Sequence, residues 1–190
     1  MSSGDVWGDR RRQLEDAFFA ERDRELLAEL RKHYASVDQR AALSEVSGVK
    51  DPQVLEKLVA AGVGPGVFTA LLLVPLVEVA WADGQVEENE KDAVLKAAGA
   101  RGIVAGTPAH LWLEKMLVQR PDPSVLTAWK DYVRALAKEL PPDAVALSKS
   151  QMLSWVTNVA EAAGGILGFG NKISTMEQAC IHELSRAYGI

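Results

Sequence analysis

The sequence is poor in most of the residues that announce a chemistry. Its only cysteine is Cys180, so an internal disulfide, a zinc ribbon and a dithiol redox pair are all excluded, and a reducing cytoplasmic setting is expected. The histidines His33, His110 and His182 are scattered. His182-Glu183 opens an H-E-x-x-H pattern, but Arg186 stands where the second histidine belongs. No serine occupies a Gly-x-Ser-x-Gly elbow. The glycine-rich run 164–170 lacks the Gly-Lys-Ser/Thr of a phosphate loop and follows a helical segment rather than a strand. No catalytic residue and no small-molecule substrate are therefore expected, and paired carboxylates alone, without a nucleophile or cofactor motif, do not make an enzyme.

Positive charge is also scarce. The 21 Lys+Arg against 26 Asp+Glu leave a net charge of −5, which gives no global field to hold a phosphate backbone, so nucleic acid is not an expected partner. Long apolar runs are missing too. The most apolar stretch, 67–77, falls well short of the roughly 20 residues that span a bilayer, contains Pro75 and runs straight into Glu78. It is expected to be a buried core helix. The N-terminus passes from Arg10, Arg11 and Arg12 directly to acidic residues with no apolar region behind them, so no signal peptide is expected.

Helical periodicity is abundant. Trp129, Tyr132, Val133, Leu136 and Leu140 fall on one face at helical spacing, as do Met152, Trp155, Val156, Val159 and Ala163. No alternating β-branched run accompanies them, and the expected fold is all-α. Proline and glycine cut the chain into about eight to ten helices. Asp51-Pro52 and Thr107-Pro108 read as helix starts, each with a capping side chain before a proline whose missing N–H costs nothing there. Residues 1–62, with Leu14, Phe18, Phe19, Leu26, Leu27, Leu30 and Tyr34, read as an N-terminal helical module packed on a main domain, 63–190.

Two segments of that main domain align without gaps, 86–103 and 173–190. Each places a Glu three residues into a helix, Glu90 or Glu177, and each closes on Gly-Ile. Ser174 with Glu177 is a proper capping box, whereas Glu87 is a weak cap for the matching helix. Two helix-loop-helix halves about a pseudo-twofold axis would produce this pattern. The run Ala80-Trp81-Ala82-Asp83-Gly84, followed by Glu87, Glu88 and Glu90 and echoed up to Glu177, resembles the TerB-like tellurite-resistance family over residues 67–190. The resemblance implies an all-helical bacterial stress-response domain with an acidic metal-binding patch and no established enzymatic activity. Where family members often repeat Asp-Gly in the second half, this chain has Gly170-Asn171-Lys172.

The stretch 83–90 also matches the second half of an EF-hand loop, but the first and third positions fall on Val79 and Trp81, which offer no side-chain oxygen. Asp83, Glu87, Glu88 and Glu90 are therefore the candidate ligands of a weak site for Ca²⁺ or another divalent cation. The competing reading of the same carboxylates is favourable charge in the first turn of a helix. Trp81 stands beside this turn as a candidate wall. Ile166, Leu167 and Phe169 in the glycine-rich loop are candidate contacts for a protein partner or a peripheral membrane surface. Cys180 aligns with Ala93 in the repeat and reads as a small packed side chain rather than a nucleophile.

Overall fold

The computed structural model of the chain describes residues 35, 37–163 and 173–189. The apolar rhythm through Tyr34 and the loop carrying Ile166, Leu167 and Phe169 lie outside the described residues. Within them every regular element is helical and no strand occurs. The helices are α1 (37–47), α2 (Pro52–Ala60), α3 (Phe68–Leu71), α4 (Val74–Ala80), α5 (Glu88–Gly99), α6 (Pro108–Val118), α7 (Pro123–Glu139), α8 (Pro142–Ala163) and α9 (Thr175–Arg186), with a 3-10 turn at Pro65–Val67.

The starts of these helices follow from local chemistry. The carboxylate of Asp51 accepts from the Gln53 N–H at 2.9 Å, and the Thr107 hydroxyl accepts from the His110 N–H at 3.4 Å. Asp122, before Pro123, repeats the device on Ser124 at 2.9 Å. Each bond satisfies a donor that the first turn leaves unpaired, worth about 1 kcal/mol. The end of α5 is a Schellman stop. Ile103 N–H reaches the Ala98 carbonyl at 3.1 Å and Gly102 N–H the Gly99 carbonyl at 3.0 Å, with Gly102 at φ +78°, where a side chain would be strained.

The apolar stretch 67–77 is buried as expected, but it is not one helix. Pro75 has no N–H to give to a carbonyl four residues back, so the chain breaks after Leu71 and restarts with Pro75 in the first turn of α4. α4 packs against α5, α6, α7, α8 and α9. Its Val74, Leu76, Val77, Val79 and Ala80 are buried, which makes this short, nearly all-apolar helix the middle of the bundle. Arg40–Ile190 forms one compact unit. Leu43, Val49, Val54, Leu55 and Leu58 belong to its core, and α2 packs on α7, so the boundary expected at residue 62 falls inside this unit.

Three of the described tryptophans serve this core. Trp129 is buried edge-on against Tyr188 at 6.2 Å between ring centres, while Trp112 and Trp155 are half-buried against its margin. No single described helix is long and apolar enough to cross a membrane, and α2 with the following segment to Leu71 reaches that length only as a pair bent by 76°.

Candidate functional site

The acidic turn follows α4 directly. Trp81, the C-cap of α4, donates its indole N–H to the Met116 carbonyl at 2.8 Å, pinning the turn to α6. Gly84, at φ +101°, then lets the chain reverse, and the Asp83 carboxylate accepts from the Gln85 N–H at 3.1 Å. Trp81 is thus a strut between two helices, and Asp83 spends one oxygen holding its own turn.

The remaining candidates divide by burial. Glu88 is exposed and pairs with Lys91 at 3.4 Å, one turn along the same face. Glu87 is half-buried as the N-cap of α5. Glu90 is buried, with 3% of its surface exposed, and its Oε2 accepts from the Glu87 N–H at 2.8 Å. That bond is the return arm of a capping box, so the weak cap expected at Glu87 is reinforced by Glu90. Burial pushes the Glu90 carboxyl up to about 7. The hydrogen bond from Glu87 pulls the other way, and the charges of Glu177, Asp83 and Glu87 add to the rise.

Glu177 is the partner that sequence reasoning left out of the site. It occupies the same position in α9, where its Oε2 accepts from the Ser174 N–H and its own N–H donates to the Ser174 hydroxyl at 3.2 Å. Only 6% of its surface is exposed, and Oε1 is buried without a hydrogen-bond partner. An orphaned carboxylate oxygen carries a desolvation cost that a hydrogen-bond donor or a cation would relieve. The sequence signal for it is the alignment of Glu177 with Glu90, a pattern that helix capping alone also produces.

The metal reading meets a geometric test here. Among the described residues no three His, Cys, Asp or Glu side chains converge closely enough to hold a metal ion. Asp83, Glu87, Glu88 and Glu90 are therefore not pre-aligned as a ligand set. Glu88 faces Lys91, and Glu90 and Asp83 are turned onto backbone N–H groups.

A second polar cluster went unforeseen. Glu78, the one charged residue of α4, lines a cleft with Arg120, Met176, Cys180 and Glu183, and Lys130 pairs with Glu183 across its edge. Burial raises the Glu78 carboxyl, and Arg120 and Lys130 hold it down in part. The Cys180 thiol is pushed up to about 11 by burial and then by the charges of Glu78 and Glu183. A thiol so placed is protonated at neutral pH and is a poor nucleophile. His182 is exposed.

Comparison of the chain with protein-family models, with curated proteins and with solved structures gave no match.

Proposed function

We propose that the chain is a non-enzymatic helical module of the TerB-like kind, acting in a cytoplasmic stress response, and that its working part is the carboxylate group around Glu90 and Glu177. The observation that carries this reading is the orphaned oxygen of Glu177, buried on a side chain whose charge acts on a second buried carboxylate. The charge of Glu177 adds to the rise of the buried Glu90 carboxyl, so the centre favours the arrival of positive charge. At low pH that charge is a proton. As the proton leaves, a divalent cation takes its place, with Ca²⁺ first among candidates because of the Asp83-Gly84 half-loop. Since Asp83 and Glu90 must give up backbone hydrogen bonds to turn toward an ion, binding is weak and strengthens with pH.

The test is thermal unfolding of chelator-stripped protein at about pH 8, with and without Ca²⁺, Mg²⁺, Mn²⁺ and Zn²⁺ at millimolar concentration. An ion present at about ten times its Kd adds roughly 1.4 kcal/mol, or about 3–6 °C for a domain of this size. A shift that is ion-selective and absent from both Glu90→Gln and Glu177→Gln supports the reading. No shift with any ion removes the metal from it.

A second reading is a partner-binding module without metal, and the exposed apolar side chains beside α6 favour it. Val104, Leu111 and Val118 are 65%, 55% and 75% exposed, and Leu111 and Val118 share a helix face at a spacing of seven. It predicts self-association or partner association that survives chelators and is lost in the Leu111→Ser/Val118→Ser variant.

A further inference from the structure

α7 and α8 follow one another through Leu140 and Pro141 alone, yet they are not among the closely packed helix pairs of the bundle. Consecutive helices with facing apolar stripes ordinarily close to 8–10 Å, at the packing density of an organic crystal. Here the space between them is a cavity of about 230 Å³. Trp129, Tyr132, Leu136, Met152 and Trp155 give it an apolar and aromatic lining, and the Ser148 and Tyr188 hydroxyls and Gln151 supply its polar groups. The Ser148 and Tyr188 oxygens lie 3.4 Å apart, a long hydrogen bond with capacity left on both groups. The Arg101 guanidinium lies over the Trp155 ring, 3.0 Å from its centre, and holds the indole in place.

A second hollow of about 380 Å³ shares Ala137, Leu140, Val145 and Tyr188 with the first and adds Arg134 and Lys138. Arg134 and Lys138 sit one position further round α7 than Val133 and Ala137, so two cations line the hollow that adjoins the apolar cavity across this shared wall. Both are exposed at the rim. Among the described residues Arg134 makes a single 3.3 Å contact, with Asp131, which is itself bonded more tightly to Lys57 at 2.6 Å. An apolar, aromatic floor, a few hydroxyls and a basic rim describe a pocket for one chemical class.

We propose that the joined cavity between α7 and α8 binds a small amphipathic anion, with its apolar chain or ring among Trp129, Tyr132, Leu136 and Trp155 and its acid head at Arg134 and Lys138. The occupant is a medium-chain carboxylate or an apolar acid of similar length. This ligand is bound and not turned over, and the inference is independent of the carboxylate centre at Glu90 and Glu177.

The test uses the tryptophan fluorescence of the full chain, to which Trp129 and Trp155 contribute from the cavity wall, with bromodecanoate as a quenching probe and bromodecanol and decyltrimethylammonium as neutral and cationic controls. Saturable quenching by bromodecanoate is expected, displaced by decanoate and weakened roughly tenfold in Arg134→Gln/Lys138→Gln and at high salt. Bromodecanol should bind no better than it does to that double variant, and decyltrimethylammonium should not displace the probe. Ala137→Phe fills the shared wall and should abolish binding. Ser148→Leu blocks the polar side of the same cavity and serves if the first variant is destabilised, with the melting temperature of each measured beside its titration. Three results would each overturn the proposal: no saturable quenching, quenching unchanged in a folded cavity-filling variant, or equal binding of alcohol and acid that ignores the double charge variant.

Discussion

Replacing Glu90 with Gln should stabilise the protein above neutral pH, although it alters a buried, hydrogen-bonded side chain. The Gln amide oxygen can still accept from the Glu87 N–H, so the return arm of the cap is kept while the charge is lost. In the wild type the folded carboxyl titrates near 7 and the ordinary value is 4.5. The folded state therefore holds a proton that the unfolded chain releases, and its advantage is complete below about pH 4.5 and lost as pH rises through 7. A displacement of that size is worth at most about 3.5 kcal/mol at 1.4 kcal/mol per pH unit, and sharing of charge with Glu177 and Asp83 reduces the part assignable to Glu90 to about 2 kcal/mol. At 2–4 °C per kcal/mol, Glu90→Gln should melt about 4–8 °C above wild type at about pH 8 in chelator, and the two should converge only below about pH 4.5. A residual fall with pH should persist in the variant, because burial raises Glu78 in the same direction. Calorimetry or circular dichroism across that range is the assay. Parallel pH profiles for the two proteins would refute the argument that a buried, charge-burdened carboxylate sits at this cap.

Other consequences follow from the core and the loops. Leu76→Ala removes a fully buried side chain from the central helix and should cost about 2–5 kcal/mol in denaturant unfolding; a loss below 1 kcal/mol would mean that α4 is not central. Gly102→Ala meets no neighbouring atom but must adopt φ +78°, so a loss of about 1 kcal/mol is expected from backbone strain alone, and an unchanged melting temperature would contradict the Schellman stop. Cys180 should react with iodoacetamide roughly tenfold to a hundredfold more slowly than a free thiol at about pH 8, and Glu78→Gln should speed that reaction by removing a neighbouring charge. Reaction at the free-thiol rate would place Cys180 outside its cleft.

Much of the fold was legible in the sequence because it rests on local chemistry. The caps at Asp51 and Thr107 stand where a polar residue before proline puts them, and the buried faces through Trp129, Tyr132 and Val133 and through Met152, Val156 and Val159 follow helical spacing. The run 67–77 reads as one core helix despite Pro75, so the break after Leu71 and the restart at Val74 were not legible. What depends on meetings between distant elements was not legible. The Glu90 and Glu177 positions both look like ordinary capping glutamates in sequence, and only their common burial in the bundle makes them act on each other. The stripe on α7 predicted Leu140 as its last buried member, but that residue is 36% exposed, because α7 and α8 stand apart around the cavity instead of closing on one another. No periodicity encodes a gap.

The most direct measurement of the account is isothermal titration of Ca²⁺ and Mn²⁺ into the chelator-stripped chain at about pH 6.5, in two buffers of different ionisation enthalpy. If a proton and a cation compete for the centre at Glu90 and Glu177, binding saturates in the millimolar range with release of up to about one proton, and both signals vanish in Glu177→Gln. No binding heat from either ion, or binding that releases no proton and survives Glu177→Gln, would contradict the central claim.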